Sequence, residues 1–363
     1  MTRTTPVTTS LTTAAPSPVP DSMPARAPRA TGRAHVRLAW LAVAALLLCA
    51  AAVASIAVGS AALPLSTVWA ALTSPDGSID HATILTLRVP RTLLGLLIGA
   101  ALAVAGALMQ GLTRNPLADP GILGLNAGAG FAIVLGVSLF GVTRISDYLW
   151  FGFLGAVVAG AVVYAVAARG SGGATPLRLT LVGVALSAVL MGMSHTLAML
   201  NTQVFDRMRF WGAGTLADRP DGTITVILPF IASGLILALS CARGMNALAL
   251  GDDLARSVGS RVGWTRARGM LAVTLLCGAA TAAAGPIGFV GLMVPHAVRF
   301  LVGPDQRWIL PFSLVLGPVL VLTADVLGRI VVAPAELQVG VVTAFLGAPA
   351  LIALVRGSRV GAL

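Results

Sequence analysis

Residues 88–130 read RVPRTLLGLLIGAALAVAGALMQGLTRNPLADPGILGLNAGAG, and this stretch decides the fold class. From Thr92 to Gln110 the chain is continuously apolar and rich in Gly and Ala, about the 20 residues a helix needs to cross a hydrocarbon core. Arg88, Pro90 and Arg91 fence its start. A tight polar turn, Asn115 to Pro120, closes it, and a second apolar span opens at once. Two spans joined by so short a turn form a hairpin in a membrane, where exposed backbone has no water to bond.

The rest of the chain shares this character. Of 363 residues, 57% are hydrophobic and 10% charged, and the mean hydropathy is +0.92; a soluble domain carries roughly one-quarter charged residues. The class is therefore an all-α polytopic membrane protein, since a β-barrel would show short alternating segments instead of long apolar runs. All 24 basic residues are Arg and none is Lys. A Walker A loop needs its Lys to reach the phosphates, so any ATP that drives this protein is hydrolysed by another subunit. Lys-based covalent chemistry is excluded as well. In a soluble protein a net charge of +11 would suggest nucleic acid. Beside a bilayer, the anionic leaflet and the positive-inside bias account for it, and no nucleic-acid partner is expected. Cys49, Cys241 and Cys277 fall in apolar spans without metal or disulfide spacing and read as small buried hydrophobes. No cofactor motif, metal cluster or catalytic constellation is visible, so no enzyme is expected.

Residues 1–34, rich in Thr, Pro, Ala and Ser, read as a disordered cytoplasmic tail; residues 35–363 form the membrane domain. Its apolar spans fall near 38–62, 92–110, 121–140, 148–168, 177–200, 222–241, 264–284, 288–302, 308–329 and 339–357. Ten crossings put both termini on one side. With that side cytoplasmic, 17 of the 24 Arg lie inside, as the positive-inside rule prefers. Gly95, Gly99, Ala103 and Ala107 share one face, and Gly124 and Gly128 repeat the pattern. Such faces let helix backbones approach, either for tight packing or along a translocation path.

Three constellations stand out. The connection at about 244–262 contains Leu250-Gly251-Asp252-Asp253-Leu254-Ala255-Arg256. Asp252, after Gly251, reads as an N-cap, Asp253 adds charge at the positive end of the helix dipole, and Gly259 is a stop, but barely two turns lie between them, too few to be stable alone in water. A partner surface is expected to hold the segment, because a merely solvated loop would expose Met245, Leu248, Leu250 and Leu254. Second, two Pro and three Gly between Gly285 and Pro295 forbid a straight helix; His296, like His195, reads as a structural, hydrogen-bonded histidine. Third, Arg88, Arg91 and Arg329 sit at the outer ends of spans, where the positive-inside rule disfavours them and helix packing does not obviously need them. Asp325, one turn before Arg329, is placed to pair with it. No Asp, Glu or Lys is expected at mid-membrane depth, which disfavours an ion-coupled carrier.

These stretches resemble the FecCD-type permeases, the membrane subunits of ABC importers for iron–siderophore complexes, haem or cobalamin, over residues 38–357. The cobalamin importer's membrane subunit is among the proteins it is similar to. The resemblance implies the type II importer architecture, with two related halves (helices 2–5 and 7–10) of opposite orientation. The turns Asn115–Pro120 and Gly285–Gly288, however, do not match convincingly. It also implies a second permease, identical or homologous, two ATPase subunits, and a substrate-binding protein on the outer face. The segment Leu250, Gly251, Asp252, Asp253, Leu254, Ala255 and Arg256 would couple to the ATPase. Arg88, Arg91 and Arg329 would receive carboxylates of the binding protein, the alternative being that they snorkel at the interface. Iron–siderophore is the first cargo, with haem and cobalamin behind it. Two other classes stay open: a secondary transporter, which needs a coupling-ion site, and a structural or channel-like protein, which needs no coupling segment.

Overall fold

The computed structural model of the chain describes residues 30–59, 63–142, 145–169 and 175–357. Ten apolar helices form its body: α1 (Ala30–Ala57), α4 (Val89–Thr113), α5 (Leu125–Phe140), α6 (Ile145–Ala168), α7 (Pro176–Leu200), α9 (Thr223–Ser240), α12 (Val262–Ala284), α13 (Val290–Val302), α14 (Gln306–Val331) and α15 (Val339–Gly357). They correspond one for one to the ten expected spans. Seven are long and apolar enough to cross a membrane; α5, α13 and α15 provide shorter apolar stretches. Four connecting helices were not expected as separate elements, α2 (Leu65–Thr73), α3 (Ile79–Thr83), α8 (Thr202–Trp211) and α10 (Ala242–Ala249), whereas α11 (Asp252–Ser257) is the short helix expected before Gly259. Helix α1 begins at Ala30, inside the stretch read as tail; residues 1–29 of that tail lie outside the described residues.

Local sequence explains the helix ends. Pro90 sits in the first turn of α4, where no N–H is needed. Arg114 closes α4 in the left-handed conformation, φ 51°, and Pro116 prevents continuation. The Thr175 hydroxyl accepts from the Arg178 N–H at the start of α7, and the Asp305 carboxylate from the Arg307 N–H at the start of α14.

Helices α4 and α12 are the two central posts, buried along most of their length. Helix α4 packs against α14, α12, α13 and α9; α12 packs against α9, α4 and α6. In contrast, α1 rests on α14, and α7 is covered only in part by α5 and α6. Both leave most of their apolar surface open in the isolated chain, surface that lipid or another subunit would cover.

Small residues set how closely the posts are approached. A Cβ added at Gly106 would stand 1.9 Å from the Gly291 carbonyl oxygen on α13. One added at Gly317 of α14 would stand 2.2 Å from the Gly99 carbonyl oxygen, and one at Gly155 of α6 would stand 2.3 Å from that of Gly128. On the Gly95–Gly99–Ala103 face, Gly99 therefore packs backbone to backbone against α14, and Gly95 makes room for the Leu322 side chain. Gly124 does not belong to such a face: it opens α5 in the left-handed conformation, φ 76°.

The repeat that the sequence hides is visible in how the helices pair. Exchanging α4 with α12, α5 with α13 and α6 with α14 turns the α4–α14 contact into α12–α6, and α4–α13 into α12–α5; all four contacts exist. Each short helix after a post also starts from a left-handed residue, Gly124 before α5 and Phe289 (φ 67°) before α13. Four crossings, α5, α6, α7 and α9, lie between α4 and α12, so the halves run in opposite senses.

Candidate functional site

One end of the bundle carries α10 and α11. Met245 and Leu248 of α10 are buried inside the chain, with the Met245 methyl against Gly111 of α4. Asn246 donates to the Asp305 carboxylate at 2.6 Å and accepts from the Gln306 N–H at 2.8 Å. The expected exposed set thus divides in two: Met245 and Leu248 anchor the segment, whereas Leu250 and Leu254 project outward, 58% and 59% exposed. Val258 and Trp264 extend this apolar surface, and Asp253 and Arg256 pair across its rim at 3.0 Å.

Helix α11 opens at Gly251, whose φ of 103° only glycine adopts easily. It closes on Gly259, where the Gly259 and Ser260 N–H groups return to the carbonyls of Arg256 and Ala255, a Schellman stop. Ala255 faces inward and is buried. Asp252 is not the cap but the first helical residue. Its carboxylate accepts from Arg114 at the end of α4 and, at 2.9 Å, from Arg266 of α12. Partial burial would raise this carboxyl, but Arg266 and Arg114 outweigh it and hold it below the usual range. Asp305 behaves likewise: desolvation raises it, and hydrogen bonds from Arg307 and Asn246 bring it down to about 2.

At the opposite end the three arginines have partners inside the chain. Arg88 ends a π turn, Ile84–Arg88, and is buried; its Nη1 donates to the carbonyls of Ile56 and Ala57 at 2.9 and 2.7 Å. Arg329, 2% exposed, donates to the carbonyls of Ser55 and Val58, both at 2.8 Å, and pairs with Asp325. Both arginines therefore close the C-terminal end of α1, whose last carbonyls lack helical donors and carry the negative end of its dipole. Packing does need them, contrary to the expectation from their position at span ends. Asp325 pairs with Arg329 as expected, and also takes a two-pronged contact from Arg91 at 2.7 and 3.0 Å. Arg91 keeps one nitrogen at the surface, where it donates to Glu336 at 2.7 Å. A cleft of about 450 Å³ opens beside this pair, walled by Leu94, Leu216, Asp218 and Asp221. Its lining also includes Glu336, and Asp218, Asp221 and Glu336 are all exposed, so Arg91 lies beside a rim of carboxylates.

Two smaller expectations change. His296 is not hydrogen-bonded: both ring nitrogens are buried without a partner among the described residues, and the ring stands edge-on to Phe300. Cys241 and Cys277 are buried, but Cys49 is exposed on the open face of α1. A second cavity of about 490 Å³, apolar and lined by Asn126, Met191, His195, Phe205 and Trp211, lies between α5, α7 and α8. The sequence gives no sign of it, because α8 falls between the expected spans 177–200 and 222–241.

Comparison with known proteins agrees with this architecture. The ferric enterobactin permease FepD of Escherichia coli is 52% identical over 86% of this chain and 93% of its own length. The iron(3+)-hydroxamate permease FhuB of Bacillus subtilis is 42% identical over 87% and 82%. The hemin permease HmuU of Yersinia pestis is 37% identical over 90% and 98%. Among solved structures, an inward-facing transporter described as of the metal-chelate ABC type superposes with a TM-score of 0.77 at 26% identity, covering 88% of this chain and all of that one. The model of the FecCD transport family matches residues 46–357. By that match and by these identities over nearly whole lengths, the chain is a membrane permease belonging to the FecCD transport family.

Proposed function

We propose that this chain is the permease subunit of an ATP-driven importer carrying ferric–siderophore complexes across the cytoplasmic membrane, with both termini inside. The observation that carries the cargo is the 52% identity to FepD over 93% of that protein. The lower identity to the hemin permease, 37%, keeps siderophore ahead of haem. The arginine distribution supports the orientation. A second permease, identical or homologous, would cover the open face of α7. The work of the chain is gating, and ATP hydrolysis falls to two separate subunits.

In this reading Leu250, Leu254 and Val258 are the ATPase-facing surface. Their exposure, on a segment braced from behind, supports a docking face more than a solvated loop. The docking role for the binding protein narrows to Arg91, whose surface nitrogen lies within reach of an incoming carboxylate. Arg88 and Arg329 act beneath it by holding α1.

The test is uptake into proteoliposomes holding this permease with its ATPase and binding protein, offered radiolabelled ferric enterobactin, a ferric hydroxamate, haem and cobalamin. ATP-dependent uptake of a ferric siderophore is expected. Uptake of haem or cobalamin alone would overturn the cargo, and uptake without ATP would overturn the class.

A further inference from the structure

Helix α11 has an outer face free for a partner and an inner face that meets the chain at few points. One of them differs from apolar packing. The Asp252 carboxylate gathers two guanidiniums that belong to the two central posts: Arg114 from the end of α4, and Arg266, 6% exposed, from the start of α12. Arg114 also donates from Nε to the Leu248 carbonyl at 2.7 Å. One side chain thus holds both the last turn of α10 and the first residue of α11. One turn back along α4, Gln110 donates to the Leu292 carbonyl of α13 at 3.1 Å and accepts from Arg299 at 2.6 Å. A polar path therefore runs from α11 through Asp252 and Arg114 into α4, and through Gln110 into α13.

We propose that Asp252 is a positioning residue that transmits movement of α11 to the two posts, rather than one that holds the ATPase. This rests on the reading of α10–α11 as the ATPase-facing segment. Apolar contacts alone would let a two-turn helix slide or tilt without moving its support. A carboxylate shared by two arginines on different helices fixes distance and direction together, because charge-assisted hydrogen bonds are short and directional. Pushing Leu254 then displaces α4 and α12 as a pair, and these are the helices on which the two halves of the fold cross.

The experiment compares Asp252→Asn, Asp252→Glu and Leu254→Asp in the complete importer, reading co-purified ATPase, ATP hydrolysis and substrate uptake. Asp252→Asn is expected to retain its ATPase subunits while uptake per ATP hydrolysed falls at least about fivefold, the range of an ordinary coupling between sites. Asp252→Glu, which keeps the charge, is expected to recover most of that ratio. If Asp252→Asn imports with the wild-type ratio, or sheds its ATPase as Leu254→Asp does, the assignment is wrong. Should Asp252→Asn fail to fold, Arg114→Gln reads the same link from the more exposed partner, and a wild-type ratio there overturns it equally. Retention of a coupled ATPase by Leu254→Asp would instead overturn the reading of the segment itself.

Discussion

Asp325→Asn is the sharpest perturbation of the arginine end. The wild-type carboxylate is 1% exposed and neutralises two guanidiniums, Arg329 at 2% exposure and Arg91, whose side chain is 14% exposed. Asparagine keeps the shape and removes the charge, leaving two cations with no buried anion. Breaking a buried pair by removing one partner costs about 3–5 kcal/mol. The low end applies here, because Arg91 keeps Glu336 and Arg329 keeps the Ser55 and Val58 carbonyls. Removing the stranded cation as well, in Asp325→Asn with Arg329→Met, should return part of the loss, giving a favourable coupling of about 0.5–3 kcal/mol. The assay is thermal or denaturant unfolding of the purified importer in detergent, followed by tryptophan emission. A single mutant within about 0.5 kcal/mol of wild type, the range of an ordinary surface change, would refute the brace.

Three further outcomes are expected. Gly106→Ala should abolish folded permease, because its Cβ would stand 1.9 Å from the Gly291 carbonyl oxygen, whereas Gly192→Ala meets nothing within 4 Å and should express normally; membrane-fraction yield checks both. Leu254→Asp should insert but lose its ATPase on purification, since a lost buried-Leu contact alone is worth about 1.5–3 kcal/mol. Asp305, lowered from 3.8 to about 2 in the fold, contributes stability that is present above its unfolded value and lost as pH falls toward the folded one. Asp305→Asn should therefore flatten the acid limb between those two values, and unchanged acid sensitivity would sink that assignment.

The ten membrane helices were legible because each is a long apolar run, and length alone separates such a run from a core helix. Apart from α11, the short helices between them were not. Helix α8 carries Asp206, Arg207 and Arg209 within ten residues, and helices α2 and α3 have only nine and five residues, so neither hydropathy nor periodicity marks them. The repeat stayed hidden for a different reason. What the two halves share is a left-handed start to the short helix and a pattern of which helix packs on which, and both can be met by different residues, Gly124 in one half and Phe289 in the other.

The site was legible in its outline at the α10–α11 end, where an amphipathic segment too short to stand alone had to be held by something. Which residues face inward depended on contacts 134 and 138 positions apart, those of Arg114 with Leu248 and Asp252, and no local pattern encodes them. At the other end docking and interfacial snorkelling compete for the arginines in the sequence, and a helix end as their partner is not visible there. An arginine against the positive-inside trend needs negative charge nearby, and a binding protein supplies it only when docked. A helix ending at the same level supplies it permanently, through carbonyls that have no donors of their own. Helix α1 ends in such carbonyls, and Arg88 reaches them from the π turn before α4 and Arg329 from α14. The arginine that retains a surface nitrogen, Arg91, is the one whose charge a neighbouring carboxylate, Glu336, already meets. Replacing Glu336 with Gln should therefore strengthen capture of an acidic partner, as read by binding-protein affinity at low salt. Weaker capture would mean that Glu336 is itself the contact and that the partner is basic.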